Sequence, residues 1–428
     1  MDKTGLYNFN NRVTISLFFT VMFLVFLNIF TPLRLITDGI RYLNILEYLN
    51  GGLDKNSYWA HDVLPHGYPW LLLLIHKLNL LGPMSITIVN ILCTLLSCYM
   101  LTKILTIDNK YLFFSLVMLS FINIKHFTLP VSDQLFVLLF ITSIYLWSEF
   151  FAGRKYYIIP ALLLTVACVF VRTAGIALLP GIVFYIIYSN RAKFMASKRL
   201  VVLISLILLA ILVFIIKLSL LETKIDYLRQ LNLMMMIKHP FSIIDRFLLH
   251  FKEIGELILN IPYSKLMGII KIKSFDTAQY LLILLGVIGL WLFFKAIFRF
   301  KLFDHFAFWV FSTYFIMIFL WPFYDTRFLI PVIPLFIYLF FSYLFKFIES
   351  SYVKIIPLFI YVLLGFISLV YSDAISLNKS FFLNHYGFDP QLTNKYRVHF
   401  KNKHNTGCKP AYSITDENVS FLLEKYDR

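Results

Sequence analysis

The stretch "VTISLFFTVMFLVFLNIFTPLRLITDGI", residues 13–40, contains a long apolar run that ends shortly before an acid, Asp38. Residues 13–31 are long enough to cross a bilayer as one helix, because a span needs about 20 apolar residues. The run is not followed by a small-residue cleavage site, so we expect a retained span rather than a removed signal peptide. Asp38 is then expected at the point where the chain leaves the membrane.

The rest of the chain repeats this pattern of apolar runs and short polar connections. Hydrophobic residues make up 60% of the 428 residues and charged residues only 14%, whereas a soluble domain carries roughly 25% charged residues. We therefore predict an all-α polytopic protein of the lipid bilayer with about 11 transmembrane helices. The predicted spans are residues 13–31, 84–106, 111–125, 133–151, 157–171, 174–189, 200–220, 278–298, 306–322, 328–346 and 354–372.

The basic residues indicate how these spans are oriented. The net charge is +16, but the lysines and arginines fall in short clusters between apolar runs, so nucleic acid is excluded as a partner. With the N-terminus in the cytoplasm, every inner connection is basic, as the positive-inside rule requires. Residues 32–83, 221–277 and 373–428 are then expected outside.

This orientation gives the chain one transmembrane domain and a tail. Residues 1–372 form the domain, with outer loops 32–83 and 221–277, and residues 373–428 form a short, ordered extracytoplasmic appendage. We interpret residues 221–277 as amphipathic helices that lie on the membrane surface. Residues 67–81 are apolar but carry His76 and Lys77, which favours a re-entrant or interfacial helix, with a twelfth span as the alternative.

The first outer loop contains several residues that could do chemistry. From Asp38 onward the apolar residues recur at helical spacing, which predicts a short interfacial helix that begins at Asp38. As a helix cap Asp38 would contribute about 1 kcal/mol of stability, and a cap and a catalytic base are compatible roles. The segment "YWAHDVLPHGYPW" carries His61, Asp62, His66 and Tyr68. Metal binding is one interpretation of these residue types, but an interfacial aromatic belt is simpler, so no metal site is predicted.

Three further outer ends carry charged residues. They lie in "TLPVSDQLF" (128–136, with Asp133), "FVRTAGIALLPG" (170–181, with Arg172) and "WPFYDTRFLIPVIPLF" (321–336, with Tyr324, Asp325 and Arg327). Each has a simple alternative: helix capping by Ser132 or Asp133, snorkelling of Arg172 to the headgroups, or an ion pair between Asp325 and Arg327. The four cysteines show neither metal-ligand spacing nor a disulfide framework.

Carboxylates and arginines at one membrane face suit a substrate with a lipid tail and a phosphate at the surface. Arginine binds phosphate through paired, charge-assisted hydrogen bonds. A carboxylate can take the proton from an acceptor hydroxyl. Transfer of a sugar from a lipid phosphate fits these groups.

The order of these motifs resembles a known family. The segments "TDGIRYLNILEYL" and "HGYPWLLLLIHKL" resemble the first outer loop of the GT-C glycosyltransferases, most closely the branch with the protein O-mannosyltransferases and the lipid A aminoarabinose transferase. "VSDQLFVLLFITSIYLW", "VRTAGIALLPGIVFYII" and "TRFLIPVIPLFIYLF" resemble the fourth-span segment, the sixth-span entry and the late R-x-L-x-P-x-x-P segment of that branch. The resemblance covers residues 13 to 346, in order and on the expected side.

This resemblance implies an outward-facing site and a polyprenyl-phosphate sugar donor. It implies a catalytic role for Asp38, as the base of an inverting transfer, and for Asp133, as a second acid. It implies binding of the donor phosphate by Arg327 and Arg172. The candidate substrate-binding residues are Asp62, His66, Tyr68, Tyr324 and Asp325. Some family members use a divalent cation, Mg²⁺ or Mn²⁺, but the chain shows no clear ligand set.

The acceptor and some alternatives stay open at this point. The paired acids of the O-mannosyltransferases appear here as Asp38-Gly39, and the tail is short for an aminoarabinose transferase, so the acceptor is a glycan, a lipid or a protein. A lipid-linked sugar flippase is an alternative, although such proteins carry charges at mid-span depth and internal repeats. An envelope polysaccharide polymerase or ligase is another. The bias toward Lys, Asn, Ile and Phe is compatible with an AT-rich bacterial genome, so the expected location is a bacterial plasma membrane.

Overall fold

A computed structural model describes residues 11–52, 62, 64–191, 243–269, 277–321, 324–347, 349–386, 390–401 and 416–427. Throughout these residues the chain forms helices and no strand. Five helices are long and apolar enough to cross a membrane: Asn11–Phe30, Pro83–Ile104, Asp133–Phe151, Thr277–Arg299 and Lys354–Leu377. The prediction of an all-α membrane protein is therefore confirmed.

The described helices are numbered here in chain order. They are α1 (Asn11–Leu27), α2 (Thr37–Leu49), α3 (Gly67–Lys77), α4 (Pro83–Ile104), α5 (Lys110–Met118), α6 (Phe121–Phe127), α7 (Asp133–Phe151), α8 (Ile158–Val171), α9 (Leu178–Ser189), α10 (Ile243–Leu259), α11 (Tyr263–Ile269), α12 (Thr277–Arg299), α13 (Phe306–Leu320), α14 (Ile333–Phe347), α15 (Ser351–Leu377), α16 (Lys379–His385), α17 (Pro390–Phe400) and α18 (Asp416–Tyr426). Short 3₁₀ segments, Thr173–Ala177 and Thr326–Leu329, precede α9 and α14. The predicted span 200–220 lies outside the described residues.

Four shorter apolar helices coincide with other predicted spans. They are Lys155–Val171, Thr173–Ser189, Phe306–Leu320 and Ile333–Phe347. Large apolar side chains project outward from the long helices, such as Phe23 on α1 and Trp291 on α12, which are 66% and 55% exposed. Exposed apolar faces of this kind suit contact with lipid tails.

The predicted third span is wrong as a single helix. Residues 111–125 instead form α5 and α6, which are separated at Leu119 and Ser120. The buried Asn260 satisfies the backbone at this break: its Nδ2 donates to the carbonyls of Leu119 and Tyr361, both at 2.9 Å, and its Oδ1 accepts the Phe121 N–H at 2.7 Å. Irregular backbone is tolerated at membrane depth where protein groups replace the missing hydrogen bonds.

The segment 67–81 forms a short helix that ends at Lys77. Its 11 residues extend about 16 Å, which is too short to cross a bilayer core of about 30 Å. The structure therefore favours a re-entrant or interfacial helix over a twelfth span. At its start, a Cβ on Gly67 would lie 2.7 Å from the Phe170 carbonyl oxygen, so α3 lies directly against the end of α8.

The C-terminal helices cover α2 and α3, in the predicted first outer loop. The Tyr396 hydroxyl donates to the Leu33 carbonyl at 2.6 Å and accepts the Leu35 N–H at 2.9 Å. Asn44 and Asn418 exchange two amide hydrogen bonds of 2.9 and 2.7 Å. Apolar residues of α2, α3 and the tail form one buried cluster. The tail thus holds α2, the helix that carries Asp38, against the rest of the protein.

Arg34 attaches the same loop to α15. It is 4% exposed, and its guanidinium donates to the Ser372 carbonyl at 3.1 Å and to Ser376 Oγ at 2.7 Å. Burial lowers the pKa of Arg34 to about 10, and nearby tyrosines and Asp373 oppose this change. The guanidinium stays charged at neutral pH and fixes the entry to α2.

Candidate active site

The carboxylate of Asp38 points at arginines. The residue before α2 is Ile36, which makes no side-chain cap, and Asp38 lies in the first turn. Its Oδ2 accepts a hydrogen bond from Arg327 Nη1 at 2.5 Å, and its Oδ1 lies 3.7 Å from Arg41 Nη1. The interpretation of Asp38 as the helix cap is therefore wrong, and its predicted helix begins one residue earlier.

Gly39 allows a close contact next to Asp38. A Cβ on Gly39 would lie 2.9 Å from Pro130 Cγ, which is closer than carbon atoms can approach without a shift. The first turn of α2 therefore packs directly on the segment before α7. A hydrogen bond of 2.8 Å between Tyr42 Oη and Ser132 Oγ joins the same two elements.

Arg327 lies between two carboxylates at the start of a 3₁₀ helix. Asp325 caps this helix, because its Oδ1 accepts the Arg327 N–H at 3.1 Å. Its Oδ2 also lies 2.7 Å from Arg327 Nε. Burial lowers the pKa of Arg327, but Asp325 and Asp38 raise it more, so the guanidinium is firmly charged. The Arg327 and Asp38 side chains are 20% and 19% exposed, so a ligand can reach both.

Arg172 forms a second ion pair beside the first. It pairs with Asp133 in the first turn of α7, and both side chains are largely buried. The α7 N-cap, Ser132, makes no side-chain cap, and Asp133 forms an ion pair with Arg172 instead, so the capping alternatives are wrong. The Phe328 ring lies 5.2 Å from the Arg172 guanidinium and 5.5 Å from that of Arg327. One ring therefore brings both predicted phosphate-binding arginines together.

The candidate residues of the first loop fall into different roles. Asp62 accepts two hydrogen bonds from Arg41, of 2.9 and 2.5 Å, so it holds Arg41 toward Asp38. Tyr68 is 1% exposed and packs edge-on against Tyr42 at 5.1 Å, and burial raises its pKa. His66 is partly buried before α3 and makes no side-chain cap. His61 lies outside the described residues.

Tyr324 points away from Asp38. Its hydroxyl donates to the Glu256 carboxylate, and Lys252 Nζ lies 4.7 Å from the centre of its ring. Although Tyr324 and Asp325 are neighbours in the chain, the Tyr324 side chain contacts α10, whereas the Asp325 side chain contacts Arg327.

The polar cluster on α10 was missed in the sequence. Residues 221–277 were predicted to lie on the membrane surface, but α10 packs tightly on α12: a Cβ on Gly255 would overlap the Leu282 carbonyl. His250, Glu253 and Glu256 are at most 1% exposed, whereas Ile244 is 69% exposed. The polar face of α10 therefore points into the protein, and its position at the membrane surface stays a prediction. These three residues are spaced one helical turn apart, which places them on one face of a helix. This spacing is the sequence signal for a polar cluster.

The α10 carboxylates bond to the segment that carries Arg327. Glu253 Oε1 accepts the Asp325 N–H at 2.6 Å, and Glu253 Oε2 lies 2.7 Å from His250 Nδ1. His250 Nε2 donates to the Trp321 carbonyl at 2.8 Å. Glu256 accepts the Tyr263 N–H at 2.5 Å. Burial raises the pKa of Glu253 and raises that of Glu256 to about 7.

The charged residues do not fit a divalent cation. Among the residues that the structure describes, His, Cys, Asp and Glu side chains form no group of three that could hold a metal ion. Asp38, Asp62 and Asp133 each face an arginine, whereas Mg²⁺ needs several oxygen ligands in octahedral geometry. The cation suggested by the resemblance has no ligand set in this part of the chain.

Comparison with known proteins adds no identification. No protein family, no curated protein and no solved structure matches the chain. Function must therefore be argued from the chemistry of the site.

Proposed function

We propose that the chain is a membrane glycosyltransferase of the GT-C type. It moves a sugar from a polyprenyl-phosphate donor to an acceptor hydroxyl at the outer membrane face. The observation that carries this proposal is the partly exposed pair of Asp38 and Arg327, with Arg41 on one side and Arg172 across the Phe328 ring. This group combines one reachable carboxylate with several arginines at the ends of apolar helices.

Arg327 and Arg172 are suited to hold the donor phosphate. A phosphate accepts paired, charge-assisted hydrogen bonds from arginine, so it can replace Asp38 as the partner of Arg327. Asp325 keeps Arg327 in place during this exchange, because it bonds to both the backbone and the side chain of Arg327. Binding of the donor then frees the Asp38 carboxylate next to the reacting sugar.

Asp38 then acts as the general base. Its carboxylate takes the proton of the acceptor hydroxyl, and the acceptor oxygen attacks the anomeric carbon. The bond between that carbon and the phosphate oxygen breaks, and its electron pair leaves with the lipid phosphate. The arginines stabilise the negative charge on the leaving group, which is a large contribution in an electrostatically organised site.

Asp133 has a positioning role in this proposal. Its carboxylate is almost fully buried and pairs with Arg172, so it holds that arginine rather than meeting an acceptor. Asp62 does the same for Arg41. The proposal thus assigns one carboxylate to proton transfer and two to the orientation of arginines.

An apolar cavity supports a lipid-linked donor. It has a volume of about 400 Å³, lies between α12, α13 and α14, and is lined by aromatic residues such as Phe293, Phe311 and Phe315. Its lining includes Phe319, whose ring lies 5.6 Å from that of His250. A prenyl chain in this cavity would reach the neighbourhood of His250, which bonds to the Trp321 carbonyl in the segment before Arg327.

The remaining parts of the proposal concern topology and place. We propose the predicted spans, with α5 and α6 together in place of the single third helix, a cytoplasmic N-terminus and a bacterial plasma membrane. Residues from four predicted outer connections supply Asp38, Asp133, Arg172 and Arg327, and these residues lie together. Their proximity supports the assignment of these connections to one side.

The test uses purified protein in lipid nanodiscs with a panel of radiolabelled polyprenyl-phosphate sugars. We expect Asp38→Asn to reduce turnover by about 10²- to 10⁴-fold, the usual contribution of a general base, while donor binding is kept. Asp304→Asn is the matched control, because Asp304 bonds to Tyr188 away from the site. Equal turnover in Asp38→Asn and wild type would contradict the role of Asp38. Lipid scrambling without turnover of any donor would favour the flippase.

A further inference from the structure

The geometry of α10 points to an arrangement that the transfer chemistry itself does not use. His250 and Glu253 lie one helical turn apart on its buried face, at 1% and 0% exposure. Neither touches Asp38 or the proposed phosphate site directly. Both instead bond to the backbone of the segment that leads to Arg327, at Trp321 and at Asp325.

The hydrogen bonds fix how protons are placed on this pair. The Trp321 carbonyl can only accept, so His250 Nε2 carries a proton and donates it. The bond of 2.7 Å between His250 Nδ1 and Glu253 Oε2 then needs one more proton, on either the imidazole or the carboxyl group. The pair therefore holds one shared proton and carries no net charge, which suits its burial.

From Glu253 a continuous series of contacts leads to the catalytic carboxylate. Glu253 Oε1 accepts the Asp325 N–H at 2.6 Å. Asp325 in turn caps the 3₁₀ helix and lies 2.7 Å from Arg327 Nε. Arg327 Nη1 reaches Asp38 Oδ2 at 2.5 Å. Because Arg327 has a long and flexible side chain, its position depends on how firmly Asp325 is held.

We propose that His250 and Glu253 are positioning residues for Arg327, acting through the Trp321 carbonyl and the Asp325 amide. The inference rests on the proposed function, because it gives Arg327 the donor phosphate as its ligand. Loss of the pair leaves Arg327 charged but poorly placed, so that phosphate binding weakens although no residue in contact with phosphate has changed.

The central comparison is between Glu253→Ala and Glu253→Gln. The glutamine amide keeps an oxygen to accept the Asp325 N–H and has N–H groups that donate to a neutral His250 Nδ1. Alanine supplies neither. A residue needed only for its charge would fail in both variants, whereas a positioning residue is rescued by glutamine.

The first measurement does not depend on any ligand. Hydrogen–deuterium exchange by mass spectrometry follows the Asp325 and Arg327 amides in nanodiscs. We expect faster exchange in Glu253→Ala and wild-type exchange in Glu253→Gln. Asp373→Ala, which removes a buried carboxylate bonded to Asn28, is the control for general loosening. Unchanged exchange in Glu253→Ala would overturn the inference, whatever the protein binds.

The second measurement is binding of a short-chain prenyl phosphate. We expect about tenfold weaker binding in Glu253→Ala, since a misplaced Arg327 loses a hydrogen bond to the charged phosphate. We expect wild-type binding in Glu253→Gln. Adding Glu253→Ala to Arg327→Gln should weaken binding no further. Additive losses, or faster exchange without weaker binding, would overturn the link to Arg327. If wild type binds no prenyl phosphate, the proposed donor is wrong, and the exchange result alone decides whether the pair holds Asp325.

Discussion

Gly39 and Asp38 show how single residues set the geometry of the site. Asp38 could be selected from the sequence because it follows the first span, but its partner Arg327 is 289 residues away. Only the folded chain reveals that pairing. The absence of a side chain at Gly39 looked like a departure from a paired-acid motif, and the structure shows that Pro130 occupies the space. Local sequence cannot report such a contact.

The contact between Gly39 and Pro130 predicts a specific loss of stability. Gly39→Ala places a Cβ 2.9 Å from Pro130 Cγ, and overpacking of this kind costs about 1–3 kcal/mol. The gain in helix propensity is at most about 1 kcal/mol, so we expect a net decrease in the free energy of unfolding. Thermal unfolding in detergent measures the change. Pro130→Ala should restore much of the loss in the double variant, and simple additivity of the two changes would contradict the contact.

Glu256 predicts a dependence of stability on pH. Burial raises its pKa from 4.5 to about 7 in the folded protein, so the folded state binds more protons than the unfolded state between these values. The stability that Glu256 contributes by binding its proton more tightly in the folded state is fully present below pH 4.5. It is lost as the pH rises to about 7. Wild type should therefore lose about 3 kcal/mol more than Glu256→Gln between pH 4.5 and pH 8. Parallel unfolding curves for the two proteins would show that Glu256 does not titrate in this way.

At the scale of elements, hydropathy located most helices. It did not locate the breaks within them or show which face of each helix packs on the protein. The α5–α6 break spans two residues, and an apolar window averages across it. Periodicity showed that α10 would be amphipathic, yet it does not say which face is covered. In α10 the polar face is inside, because His250, Glu253 and Glu256 find partners there. These partners come from distant segments, so sequence periodicity alone could not identify them.

Asn260 should be essential for the α5–α6 break. Asn260→Gly removes three buried hydrogen bonds while keeping a residue that tolerates the positive φ of 58° at this position. Each unsatisfied buried group costs about 1–3 kcal/mol, so we expect a loss of about 3 kcal/mol or more in unfolding free energy. Asn190→Gly is the control, because the Asn190 side chain bonds to a carbonyl of its own helix. Equal losses in the two variants would contradict this role.

At the scale of the whole molecule, the site is assembled from connections far apart in the chain. The charge pattern predicted that these connections share one side, and the structure brings four of them together. The lengths and pairings of the helices had to come from tertiary contacts. The tail helices, predicted as a short ordered appendage, pack on the first loop.

The predicted sidedness can be measured with single cysteines. Lys379→Cys and Arg191→Cys, both at exposed positions, would be made in a protein without its four native cysteines. We expect a membrane-impermeant maleimide added to intact cells to label position 379 and not position 191. Permeabilised cells should show labelling at both. Labelling of position 191 in intact cells would reverse the proposed orientation.

The cover that the tail places on α2 also has a consequence for biogenesis. Glu47 bonds to Lys425, which is 378 residues later in the chain. During synthesis, the loop that contains α2 therefore lacks this contact until almost all other helices have been made. The helix with Asp38 therefore gains these neighbours late, and a chain that stops before α18 would insert its spans without this support for the proposed catalytic loop.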